Sequence, residues 1–158
     1  MAPDVSELLA SDSWRETVIS WANEQAAHKG IQLTGPLLPF RVRPWAVHLT
    51  IESTRGRLWF KASCPALAFE PLLHHELSLI VPHAVSPPLA IDAARGWMLN
   101  VEHGAMLQRG AAGGLADWLA VVREVTEVQQ RLMPHRDRLL ASHMPDCLAA
   151  TVVDRFDG

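Results

Sequence analysis

The apolar residues of this chain change their period several times, and each change marks an element. Trp14, Val18 and Trp21 recur at helical spacing, with Ala22 and Gln25 beside them. Ser13 precedes them with Glu16 at the capping-box spacing, and Gly30 closes the segment, so a helix is predicted over 13–28. Its two tryptophans read as core anchors. Residues 31–39 are turn-rich and contain Thr34-Gly35-Pro36. The period then falls to two, with Val47, Leu49 and Ile51 alternating with His48, Thr50 and Glu52. Ser53-Thr54-Arg55-Gly56 supplies a turn, and Arg57–Ala62 is the returning strand. Leu58 and Phe60 share one of its faces, Trp59 and Lys61 the other.

Proline is tolerated only in the first helical turn, so Pro65 and Pro71 place the next helix start at 67–70, with an end near Ile80. Residues 83–88 read as loop, followed by short strands at Leu89–Ile91 and Gly96–Val101. Gly110-Ala111-Ala112-Gly113-Gly114 is a flexible link. A long helix follows, with Leu115, Trp118, Leu119, Val122, Val125 and Leu132 on one stripe, and Pro134 stops it. Residues 135–156 predict one or two further helices, broken at Met144-Pro145. The order is α+β: an N-terminal helix (1–30), a sheet-bearing portion (31–108) and a helical segment (109–158).

Composition narrows the function classes. With 158 residues, 49% hydrophobic and 20% charged, the chain fits one globular domain with a real core. The net charge is -3 and no basic stripe occurs, which argues against nucleic acid as a partner. No apolar run approaches the roughly 20 residues of a membrane span. Met-Ala-Pro-Asp at the start has neither the basic nor the apolar region of a signal peptide. Cys64 and Cys147 form no C-x-x-C pair and read as reduced, packed thiols, so a cytoplasmic protein is expected. His74-His75-Glu76 is not the H-E-x-x-H arrangement, and no metal ligands are assigned. Walker, Rossmann and G-x-S-x-G patterns are absent.

The candidate chemistry begins at Lys61, which ends an apolar strand with a single ammonium. One reading is a surface lysine. The other involves Glu70, which a helical wheel places within the arc of Leu73, Leu77 and Val81, the face that must meet the sheet. A carboxylate there is costly unless a cation meets it, and Lys61 on the adjacent strand is the natural partner. Glu70 also reads as a first-turn acid favouring a helix N-terminus, worth about 1 kcal/mol at most. Glu76, toward the edge of the arc, is the competing partner and is expected to be solvated.

Three pieces then recur in a familiar order. They are Arg43-Pro44-Trp45 before a hairpin, Leu58-Trp59-Phe60-Lys61-Ala62 followed by Phe69-Glu70, and Arg95-Gly96-Trp97-Met98-Leu99. In this the chain resembles the small lobe of aminoglycoside phosphotransferase-like kinases, particularly the actinobacterial-type members. The opening helix and the helix from Trp118 to Leu132 are similar in texture too. The resemblance implies a kinase-like small lobe: an antiparallel sheet with an αC-like helix, preceded by an N-terminal helix and followed by C-terminal helices. It implies that Lys61 meets the phosphates of ATP, held in place by Glu70. It makes Asn100, Val101, Glu102 and His103 the hinge that meets the adenine edge, and lays the loop Arg41–Ala46 over the phosphates. Trp45 and Trp59 would border the cleft.

Two departures limit what the resemblance implies. The Arg41–Ala46 segment contains no glycine, so it offers no close backbone cradle for phosphate. The family also needs a His-Gly-Asp-type loop with a downstream Asn, and an Asp for Mg²⁺. The only His-Gly here, His103-Gly104, is followed by Ala105, and Asp146, Asp154 and Asp157 lack that context. The expectation is an ATP-binding portion with no catalytic residue of its own, Mg²⁺ joining only with a large lobe. Such a portion would self-associate or meet the missing lobe. The alternative is a non-catalytic α+β interaction module on the same scaffold.

Overall fold

The alternation at 46–63 builds the centre of the fold. In the computed structural model, which describes residue 7 and residues 11–104 and 114–146, strands β2 (Ala46–Ser53) and β3 (Gly56–Ser63) pair antiparallel. Their register runs from Ala46 opposite Ser63 to Ser53 opposite Gly56. Gly56, with φ +91°, takes the left-handed conformation that closes the turn. Strand β1 (Leu38–Arg43) adds to β2 and strand β5 (Trp97–Val101) to β3, with β4 (Ala90–Asp92) at the far edge. The result is a five-stranded antiparallel sheet in the order β1-β2-β3-β5-β4.

One face of this sheet is covered by helix α1 (Asp12–Ala27). Val18, Ala22 and Ala26 are fully buried and Trp21 nearly so, against Val47, Leu49, Ile51, Leu58, Phe60 and Leu99. Trp14 and Trp21 each meet Phe60 and Trp97 edge-on, with centroids 5.7–6.2 Å apart. Such pairs contribute about 0.5–1.5 kcal/mol each beyond their burial. The tryptophans are therefore anchors, and α1 shares one core with the sheet. The helix starts two residues earlier than a cap at Ser13 would place it. Ser11 is the cap, its Oγ accepting from the Trp14 amide at 3.3 Å.

The expected Arg41–Ala46 loop does not exist as such. Residues 41–43 belong to β1, with Val42 opposite Val47 and Arg43 opposite Ala46, so only Pro44-Trp45 turns the chain. Val42 packs against the core and draws its neighbours into the strand, while Pro44, lacking an N–H, is suited to the turn. A bulge interrupts β1 between Pro39 and Arg41.

A 3₁₀ turn (Pro65–Leu67) leads into α2 (Glu70–Ile80), with Pro71 in its first turn. Val81 is buried, while Leu73 and Leu77 are half-buried. Beyond residue 113, α3 (Leu115–Leu132) is followed by a 3₁₀ turn and α4 (Arg136–Leu140). Arg138 of α4 is ion-paired with Glu76 of α2. Glu76 is thus engaged rather than solvated, because α4 brings a guanidinium to the flank of α2. None of α3 is buried, and Leu115, Trp118, Leu119, Val122 and Val125 are each at least 40% exposed. No helix among the described residues is long and apolar enough to cross a membrane. Most of the glycine-rich link, and Cys147, Asp154 and Asp157, lie outside the described residues.

Candidate functional site

Strand alternation sends Phe60 and Leu58 toward α1 and leaves Trp59 and Lys61 on the opposite face. Register then decides their neighbours. Trp59 lies opposite Thr50 and Asn100, while Lys61 lies opposite His48 and Met98. His48 in turn lies opposite Arg41. The face thus carries an aromatic and amide row beside a row of basic side chains, Arg41–His48–Lys61, about 7 Å away along the strands. The bulge in β1 lets consecutive residues Phe40 and Arg41 border the same cleft. Phe40 meets Trp59 edge-on at 4.6 Å.

Lys61 Nζ lies 2.5 Å from Glu70 Oε2, with both side chains about a quarter exposed (22% and 28%). Ser63 Oγ, from the end of the same strand, donates to that oxygen at 2.5 Å. The Glu70 carboxylate is therefore held from two directions, by a cation and by a buried hydroxyl. At this exposure the ion pair alone is worth about 1 kcal/mol or less. Its consequence is geometric: a four-carbon stem with free rotation is fixed in one place.

The same sheet face bears a cleft of about 380 Å³, within the range of small-ligand sites, although neither Lys61 nor Glu70 is among the residues that line it. Phe40 and Trp59 form its aromatic wall, Arg41 and the imidazole of His48 its basic side, and residues 100–104 its rim. All four hinge candidates, Asn100, Val101, Glu102 and His103, border it. They are not equivalent. The Glu102 amide donates to the Arg57 carbonyl at 3.0 Å, and its carboxylate lies 3.8 Å from Arg57 Nη1. Arg57 is held more firmly protonated by its hydrogen bond to Glu52, then by the charges of Glu52 and Glu102. Glu102 is thus tethered to β3. His103 makes no backbone hydrogen bond among the described residues. Among the described residues, Asn100 Oδ1 is buried without a hydrogen-bond partner.

His48 has its pKa lowered from the usual 6.5, first by burial and then by the positive charges of Lys61 and Arg41, with Glu70 opposing. It is neutral at pH 7. A somewhat larger hollow, about 430 Å³, lies between Pro65–Phe69 and the β4–β5 turn, but its walls are mostly small and apolar and His143 is its one titratable group. Among the described residues, no group of three or more His, Cys, Asp or Glu is arranged to hold a metal ion.

The structure brings together Lys61 with Glu70, and residues 100–103 with one cleft. Trp59 borders that cleft, whereas Trp45 stands 54% exposed at the β1–β2 turn. Sequence reasoning missed Phe40, His48 and His74, and it expected Arg41 only as the start of a loop over the phosphates, not as a strand residue of the cleft. For His48 a signal existed, because counting back from the Ser53–Gly56 turn pairs it with Lys61. For Phe40 the signal was slight, since a bulge is not written in the alternation and only Pro39 hints at it. Comparison with known proteins finds no matching family, no matching curated protein and no matching solved structure.

Proposed function

We propose that this chain is the ATP-binding portion of an aminoglycoside phosphotransferase-like small-molecule kinase, a cytoplasmic protein whose kinase-like small lobe carries the start of a helical lobe. The carrying observation is the Lys61–Glu70 ion pair, set on the same sheet face as a cleft rimmed by the segment leaving β5. A strand lysine fixed by a helix glutamate is how kinase folds place an ammonium against nucleotide phosphates. The rows on this face run in a matching order. Trp59 and Phe40 offer aromatic surface for a base next to the rim, and the basic row lies one step further along the strands. Among the described residues the His103 amide has no backbone partner and can donate to a base edge, whereas that of Glu102 is committed to Arg57. An orphaned buried acceptor costs about 1–3 kcal/mol, and a ligand amine that reached it from this wall would relieve Asn100.

The role is nucleotide positioning. The sequence holds no His-Gly-Asp loop, so no residue is assigned to the chemical step or to Mg²⁺. The test is titration calorimetry with Mg-ATP on the native chain and on Lys61→Ala. ATP binding weakened at least about tenfold by the substitution supports the reading. No binding to the native chain, or equal binding to both, overturns it.

A second reading, a non-catalytic α+β interaction module on this scaffold, is favoured by one observation. The apolar stripe of α3 is exposed from Leu115 to Val125. Light scattering that finds a clean monomer, with no binding of an apolar dye, counts against it.

A further inference from the structure

The basic row contains more than the lysine. Arg41, His48 and Lys61 stand on three neighbouring strands at directly opposed positions, on the face that bears the cleft. Lys61 has its charge largely matched by Glu70 at 2.5 Å. Arg41 is exposed and has no ion pair with a carboxylate among the described residues. The His48 ring makes no hydrogen bond to a described residue, so its nitrogens are open to a ligand. The other cleft histidine on the α2 side differs, because His74 Nε2 is engaged with the Ser86 carbonyl at 2.9 Å.

We propose that Arg41, His48 and Lys61 together form the floor for the phosphate chain of the bound nucleotide, and that His48 takes up a proton as that chain binds. This rests on the nucleotide reading above. The charges facing His48 are Arg41 from β1, Lys61 from β3 and Glu70 from α2, with His74 of α2 and Glu102 and His103 of the rim bordering the same cleft. In the free protein the nearby cations and partial burial keep the ring neutral. A polyphosphate reverses the local potential, since its charge outweighs those cations and favours imidazolium. Both ring nitrogens then donate, and the floor gains a positive charge when the anion needs it. The sign is fixed: binding takes up protons, so affinity rises as pH falls through the histidine range.

The test is titration calorimetry with the full chain, using Mg-ATP, adenosine and inorganic tripolyphosphate between about pH 6 and pH 8. Each titration is run in buffers of different ionisation enthalpy, which reads the protons exchanged. The expected result is a fraction of a proton taken up per ATP and affinity about fivefold higher at the acid end. His48→Gln, which keeps a polar side chain but cannot titrate, removes the uptake beyond what the phosphate's own ionisation gives. Adenosine binding changes neither with pH nor with this substitution. Arg41→Gln, at an exposed strand position, weakens ATP and tripolyphosphate several-fold and leaves adenosine unchanged. ATP binding with the same proton uptake in the native chain and in His48→Gln overturns the proposal while leaving the nucleotide reading intact. Tripolyphosphate bound with the expected linkage, but no more weakly than ATP and with adenosine unbound, keeps the anion floor and overturns the nucleotide reading. No binding of either anion overturns both.

Discussion

The ammonium of Lys61 depends on a hydroxyl two residues away. Ser63 is buried and gives its proton to the same Glu70 oxygen that meets Lys61, so the carboxylate cannot swing toward solvent. Ser63→Ala removes that donor and leaves a part-buried carboxylate with one partner fewer. The expected cost is about 1 kcal/mol in denaturant unfolding, with ATP affinity lowered by less than Lys61→Ala lowers it. Equal effects of the two substitutions on affinity would mean that Ser63 does more than orient Glu70. His48 makes a separate prediction for the ligand-free protein. Its folded pKa lies below 6.5, so the unfolded chain binds more protons in the interval between the two values. Stability from this site is complete above about pH 6.5 and is lost as pH falls through the folded value. Thermal unfolding of the native chain and of His48→Gln across this range should diverge on the acid side, the variant having the flatter profile. Lys61 and Glu70 were legible in the sequence because a carboxylate on an apolar arc demands a cation. Ser63 was not, since a serine at a strand end carries no such demand.

The elements that hold these residues differ in how plainly the sequence announces them. The β2–β3 hairpin is legible because alternation and turn residues agree, and a fixed register then places Lys61 beside His48. The bulge that turns Phe40 and Arg41 to one cleft depends on how β1 meets β2, and only Pro39 hints at it. Helix α2 is held by charge at its start and at its middle, with Glu70 on Lys61 and Glu76 on Arg138, yet the second contact comes from α4, which is remote in sequence. The segment leading into α2 is also fixed by Gly96. Its φ is +66°, and a Cβ there would lie 3.2 Å from both the Ala68 Cα and the Ser63 carbonyl oxygen. Gly96→Ala must therefore push the β4–β5 turn away from the backbone between Lys61 and Glu70. A loss of about 1–3 kcal/mol in denaturant unfolding is expected, with weaker ATP binding. Unchanged stability would show that this turn can shift without cost.

At the scale of the molecule the two faces of the sheet have divided their tasks. The α1 face is apolar and closed by an aromatic cluster, which gives the sheet its rigidity, and the opposite face is left for polar and cationic side chains. That division follows from the period-two pattern, and so the fold class was readable where the cleft's full lining was not. The stripe of α3 was equally readable as a pattern, but a periodic apolar face says nothing about what it faces. Here Leu119 at 56% and Val122 at 59% exposure lie along the middle of the helix. Removing such side chains from water contributes about 1.5–3 kcal/mol each when burial is complete, enough to drive association if a matching surface is present. On the interaction-module reading, the native chain should bind an apolar dye and show a concentration-dependent mass by light scattering. Leu119→Glu with Val122→Glu should abolish both. Because α3 supplies no residue to the described lining of the cleft, ATP affinity should not change. If the double substitution leaves dye binding and mass unaltered, the stripe is not the associating surface. If it also removes ATP binding, α3 supports the nucleotide cleft, and the two readings describe one site.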